Sequence, residues 1–124
     1  MNMGLDLTLV PIRHHEIGWW LATERLSLDR DGLGHMIGGC GDGEPGVKTK
    51  PLPKKVDFDW YGDEGLKRTK TDAYGGKLEY VTAGTLGEAM VSYTKKNKFS
   101  PWNEAVIAFI CALPVDTPVV LYWH

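Results

Sequence analysis

The stretch from Pro101 to Trp123 limits the possible folds more than any other part of the chain. Ser100 followed by Pro101 is a helix start, because serine caps the first turn and proline at the first helical position loses no useful hydrogen bond. From Pro101 to Leu113 the residues are apolar nearly all round, which predicts a central helix. Pro114 stops it and Asp116-Thr117-Pro118 makes a turn. Val119-Val120-Leu121-Tyr122-Trp123 then forms a continuous apolar run, the pattern of a strand covered on both faces.

The remaining periodicities supply partners for these two elements. Met3 to Ile12 alternates, placing Leu5, Leu7 and Leu9 on one face and Asp6, Thr8 and Val10 on the other, as a half-buried strand requires. Trp19 to Leu28 reads as a second strand, entered by a hairpin through the polar corner Arg13-His14-His15-Glu16. Asp29 or Asp31 is placed to cap a short helix through Met36 and Ile37, which Gly32 and Gly34 weaken.

Val56 to Tyr61 alternates most clearly of all, with Val56, Phe58 and Trp60 inward and Asp57 and Asp59 outward. Lys77 to Thr82 follows as a fourth strand through the Gly75-Gly76 turn. A helix capped by Thr85 carries Leu86, Ala89, Met90 and Tyr93 on one face and ends near Lys96. The expectation is an α+β fold over residues 1–124 as one domain, a single sheet of about five strands with two or three helices packed on it.

Composition bounds the function. The 124 residues are 43% hydrophobic and 24% charged, with a net charge of -2 too small to imply a polyanion partner by itself. Cys40 and Cys111 belong to no CxxC pair, so zinc-ribbon and thioredoxin-type chemistry lack support, and a reducing compartment is expected. The N-terminus alternates and does not offer a signal peptide. The longest apolar run is about half the ~20 residues a membrane span needs. The expected location is the cytoplasm, with no membrane partner.

Between Gly38 and Pro53 the chain is rich in glycine, proline and lysine, a long loop and the first place to seek a site. Within it, Gly41 to Thr49 is similar to a phosphate-binding loop carrying one extra residue. Val47 stands where GxxxxGK[ST] demands lysine, and Pro51 and Pro53 forbid the helix that should follow. Nucleotide hydrolysis is therefore not expected. A glycine-rich backbone with adjacent lysines can still wrap an anion.

His14, Glu16 and His35 are the residues that could serve a metal-dependent or acid/base hydrolase, with Asp57 or Asp59 assisting and Cys40 and His124 converging on them. Only His14 and Glu16 share a side locally, however, and no HExxH-type spacing is present. Ser27, Ser92 and Ser100 lie outside any GxSxG elbow. No cofactor, metal or catalytic set is expected on these grounds.

Charge distribution says more. Ten of the fourteen basic residues fall in three clusters, Lys48/Lys50/Lys54/Lys55, Lys67/Arg68/Lys70 and Lys95/Lys96/Lys98. Brought to one edge, Lys48, Lys50, Lys54, Lys55, Lys67 and Arg68 would form an anion-binding surface on an acidic protein, with Trp60, Tyr61 and Tyr74 available for stacking. Five tryptophans are a surplus for so short a chain. Trp60 and Trp123 suit a core, whereas Trp19, Trp20 and Trp102 cannot all be internal and are candidate interface residues.

The opening GLDLTLVPIRHHE and the ending SPWNEAVIAFICALPVDTPVVLYWH resemble the small accessory proteins encoded by phages and prophages. The resemblance rests on general character and carries over no functional residues. It implies a cytoplasmic, non-catalytic binding protein, a counter-defence factor that binds a host protein or sequesters a nucleotide signal. A hydrolase using His14, Glu16 and His35 is the alternative, and a self-associating assembly protein, a homo-oligomer, is a third reading.

Overall fold

The structure is a computed structural model, described here for residues 6–16, 18–39, 45–62 and 65–124. Its spine is a five-stranded sheet in the order β4-β1-β9-β8-β5, antiparallel throughout. The strands are β1 (Leu7–Pro11), β4 (Leu26–Ser27), β5 (Lys50–Pro51), β8 (Glu79–Thr82) and β9 (Pro118–Trp123). A second sheet, ordered β2-β3-β6-β7, consists of β2 (His14–Glu16), β3 (Trp19–Ala22), β6 (Asp57–Gly62) and β7 (Gly65–Arg68). The α+β class holds, but the strands expected in a single sheet divide between two, with the Val56–Tyr61 strand in the second as β6 and the unexpected β5 at the edge of the first.

The three helices are α1 (Leu33–Gly38), α2 (Ala83–Thr94) and α3 (Pro101–Ala112). They cover one face of the central sheet. Leu7, Leu9, Val81, Val119 and Leu121 point into that layer, where they meet Leu33, Ile37, Leu86, Met90, Val106 and Ile110. Because successive strand residues face opposite ways, Val10 and Val120 point to the other side. There they pack with Trp20, Ala22, Phe58 and Trp60 of the second sheet. The apolar run at Val119–Trp123 is explained: β9 is a middle strand with one layer above it and another below.

That arrangement corrects several expectations. β1 is buried on both faces instead of one, since the second sheet covers Thr8 and Val10. The predicted strand from Trp19 to Leu28 is two strands in different sheets, β3 and β4, split where Thr23, Glu24 and Arg25 cross from one layer to the other. His14–Glu16 is strand, not corner, and pairs with β3. Thr82 and not Thr85 precedes α2, and its hydroxyl donates to Thr85 Oγ1 at 3.1 Å.

Asp31 serves both helices: its Oδ1 accepts from the Leu33 amide at the start of α1, at 3.4 Å, while Asp29 and Asp31 together hold Ser100, the cap of α3. Ser100 accepts from the Asn103 amide at 3.1 Å, as the Ser-Pro signal predicts. The Ser100 hydroxyl in turn donates to Asp29 Oδ2 and the Ser100 amide donates to Asp31 Oδ2, each at 2.7 Å. Asn103, fully buried, closes the network with both its amide ends engaged. Among the described residues no helix is long and apolar enough to cross a membrane.

Candidate functional site

The two sheets splay apart at one end, and the mouth between them is a cleft of about 430 Å³ lined by Thr8, Arg25, Ser27, Trp60, Lys67, Tyr122 and His124. Register explains why these residues meet. On the central sheet Ser27, Thr8 and Tyr122 are lateral neighbours across β4, β1 and β9. On the second sheet Trp60 and Lys67 are lateral neighbours across β6 and β7. One row faces the other, and Arg25 comes from the segment that crosses between the layers.

The chemistry of the lining is one-sided. Arg25, Lys67 and His124 supply cationic or proton-donating groups, Thr8 and Ser27 supply hydroxyls, and among the described residues no carboxylate lines the cleft. The hydroxyls are ordered: Thr8 Oγ1 lies 2.9 Å from Ser27 Oγ and 2.8 Å from His124 Nε2. His124 is itself fixed by backbone pairing with Asp6 in both directions, at 2.6 and 2.9 Å. Its ring stacks on Tyr122 at 5.8 Å between centroids, and Tyr122 meets Trp60 edge to face at 4.8 Å. The Arg25 guanidinium sits 5.5 Å from the centre of the Trp60 ring, within cation–π range.

Trp60 is 4% exposed, and its indole N–H has no hydrogen-bond partner among the described residues. A buried unpartnered donor is costly, so its presence in a cleft wall marks a position where the protein alone leaves a polar group unsatisfied.

Of the six basic residues expected to form an anion-binding surface, only Lys67 lines the cleft. Lys48, Lys50, Lys54 and Lys55 are exposed along and after β5, at the edge of the central sheet opposite β4. None of these four lysines lines the cleft, whose nearest wall on the central sheet is Tyr122 of β9, two strands from β5. Arg68 is committed elsewhere. It donates to both oxygens of Asp59, at 3.0 and 3.2 Å, and lies 3.4 Å from Asp57.

Asp59 was expected on a solvated face and is instead 4% exposed, roofed by Arg68 and by Trp19, whose indole donates to it at 2.8 Å. The hydrogen-bonded Arg68 holds the Asp59 carboxyl below its ordinary range, the Trp19 bond adds to this, and burial opposes it. Neither Asp57 nor Asp59 is free to assist a hydrolase.

His14, His15 and Glu16 are all exposed on β2, an edge strand. His35 is on α1 and, like His124, bears electrostatically on Asp6, at the β1 end of the molecule. Among the described residues no three His, Cys, Asp or Glu side chains are grouped to hold a metal. Cys40 and Gly41–Glu44 of the loop lie outside the described residues. What is described there gives the glycines a packing role: a Cβ on Gly46 would stand 2.8 Å from the Gly39 amide nitrogen, and both glycines have positive φ.

Of the tryptophan candidates, Trp20 is buried edge to face against Tyr80, Trp19 is 39% exposed and tied to Asp59, and Trp102 is 51% exposed. A larger cleft of about 580 Å³, walled by Phe109, Leu113, Pro11 and Ile12, carries charges of both signs, with Arg13 and Glu24 3.8 Å apart. Sequence reasoning reached Lys67, Trp60 and His124 but missed Thr8, Arg25, Ser27 and Tyr122. A threonine inside an otherwise apolar strand was the available signal.

Comparison with protein-family models, curated proteins and solved structures gives no match to this chain.

Proposed function

We propose that this protein is a non-catalytic binding protein that holds a small phosphorylated anion, of which a nucleotide is the chief candidate, in the cleft between its two sheets. One observation carries the reading: Arg25, Lys67, His124 and two ordered hydroxyls line a single cleft to which no carboxylate among the described residues contributes. Converging donors without an opposing charge favour an anion, because charge-assisted hydrogen bonds to phosphate oxygens are about twice as strong as neutral ones. The half-buried Tyr122 and His124 rings add aromatic surface on which a planar base can lie. In a phage-type accessory protein of the host cytoplasm, such a cleft would sequester a nucleotide signal.

The test is calorimetric titration with ATP, and with inorganic phosphate for comparison. The native protein binds ATP, and the Arg25→Glu/Lys67→Glu variant loses binding. A variant with Lys48, Lys50, Lys54 and Lys55 all replaced by glutamate binds as before. Loss of binding in the four-lysine variant alone would move the anion site to the β5 edge, and no binding of either anion by the native protein would remove the reading.

The chain Ser27, Thr8, His124 supports a second reading, since a hydroxyl connected through another hydroxyl to an imidazole can lose its proton. Ser27 Oγ would then attack the γ-phosphorus of bound ATP, the bond to the β-phosphate oxygen would break with ADP leaving, and the hydroxyl proton would pass through Thr8 to His124. Phosphorus NMR of ATP incubated with the protein separates the two: unchanged resonances mean binding alone, and product resonances that vanish in Ser27→Ala mean catalysis.

A further inference from the structure

α3 is apolar nearly all round, with Glu104 its one charged residue, yet only one side of it is covered. Asn103, Val106, Ile107 and Ile110 are buried, while Trp102, Ala105, Ala108, Phe109 and Ala112 are exposed. At helical periodicity those five residues form one stripe along the outer surface. The stripe carries no charged residue, and it includes Trp102 at 51% and Phe109 at 39% exposure. The sequence reading of a central helix is therefore corrected: the helix has an outer face that carries this apolar stripe with Glu104 at its flank.

The order of sizes along this stripe selects an occupant. Trp102, Ala105, Phe109 and Ala112 follow one another at spacings of three, four and three, the repeat of a helix-to-helix seam. Read backwards, the spacings are again three, four and three, but the sizes are inverted. A second α3 laid antiparallel thus sets Trp102 against Ala112 and Phe109 against Ala105, and two-fold symmetry repeats both contacts. A parallel copy would oppose tryptophan to tryptophan and alanine to alanine, leaving a clash beside a void.

Electrostatics agree with the antiparallel order. The last turn of α3 has no basic residue to offset the partial negative charge of its carbonyl end. An antiparallel copy brings its partially positive amino end alongside. The uncharged stripe sets no like charge against itself, as a two-fold contact demands. Trp102 is also fixed in place, since its indole donates to the Ser27 carbonyl at 2.6 Å. A ring held in position before association loses little freedom on binding.

We infer that the protein forms a two-fold dimer through α3 packed antiparallel on α3 of a second copy. Sedimentation equilibrium of the native protein across micromolar concentrations gives a monomer–dimer equilibrium. Ala105→Glu buries a carboxylate against the partner's aromatic ring and weakens association at least about a hundredfold. Ala108→Lys does the same, and serves if Ala105→Glu does not fold by circular dichroism.

Register is tested in a background with Cys40 and Cys111 changed to serine. There Trp102→Cys/Ala112→Cys cross-links into a covalent dimer on oxidation, whereas Trp102→Cys alone does not. A native protein that stays monomeric at 100-fold higher concentration than its expression level, a dimer that survives both charge variants, or cross-linking by Trp102→Cys alone would each overturn the inference.

Discussion

Thr8 and His124 stand 116 residues apart in the chain and 2.8 Å apart in space. The pair exists because β1 and β9 are neighbours whose register continues one step further, through the paired backbones of Asp6 and His124. Thr8 is thereby the junction between the Ser27 hydroxyl and the His124 ring, at the floor of the cleft.

Replacing Thr8 by valine keeps the shape of the strand and removes that junction. Ser27 is exposed and His124 partly so, and water can meet the groups released. Stability should change by less than about 1 kcal/mol, while affinity for ATP falls about tenfold through the loss of one donor. Urea unfolding and calorimetry on the same protein separate the two effects. A large loss of stability with unchanged affinity would assign Thr8 to the fold alone.

Asp59 makes stability depend on acid. Its folded-state carboxyl is held below the ordinary range, first by the Arg68 hydrogen bond. Its contribution is therefore complete above the unfolded carboxylate value of about 4 and is lost as pH falls through the lower folded value. Asp6, lowered first by its hydrogen bond to Arg30, follows the same sign. Urea midpoints measured from pH 6 downward should decline below about pH 4. In Asp59→Asn the decline is shallower and the neutral-pH stability lower by about 1–3 kcal/mol, the range for a hydrogen bond to a charged group. An identical acid slope in the variant would show that Asp59 gains nothing from Arg68.

How much of this was written in the sequence depended on distance. The Ser100-Pro101 start, the alternation of Phe58 and Trp60 and the doubly covered strand at Val119–Trp123 are local patterns, and each stands in the structure. The split of Trp19–Leu28 was hidden because a short apolar run does not reveal which sheet it joins. Asp59 read as solvated because its cover comes from Trp19 and Arg68, on two other strands. The cleft was hidden for the same reason: Thr8, Ser27 and Tyr122 are ordinary strand residues until register aligns them. The lysine clusters were conspicuous in sequence, but of them only Lys67 lines the cleft, and Arg68 is bonded to Asp59.

Gly46 tests the packing account of the glycine-rich loop. Its φ is +82° and a Cβ there would meet Gly39 backbone at 2.8 Å, while the next residue, Val47, donates to the Ile37 carbonyl at 2.8 Å. Gly46→Ala should destabilise by about 1–2 kcal/mol from the left-handed backbone alone, with the contact adding to it. ATP affinity should be unaltered, because Gly46 packs on the end of α1 in the helix layer and does not line the cleft. A variant of native stability that fails to bind ATP would restore this loop as the anion site.

Asn103 is where the start of α3 is joined to the segment before α1. It is fully buried; its side-chain oxygen accepts from the Asp29 amide at 2.8 Å, and its nitrogen donates to the Asp29 carbonyl and to Asp31 Oδ1, at 3.1 and 2.6 Å. Leucine has similar volume but satisfies none of these groups. The Asp29 amide and carbonyl are left facing an apolar side chain, which costs about 1–3 kcal/mol for each group that water cannot reach. Asn103→Leu should therefore lower the urea midpoint by several kcal/mol in equivalent stability, whereas Glu104→Ala, exposed one residue away, should change it by less than about 0.5 kcal/mol. The two variants differ in burial and not in helix position. Equal, small effects would mean that the α3 cap rests on Ser100 alone, and that Asp29 and Asp31 hold their places without Asn103.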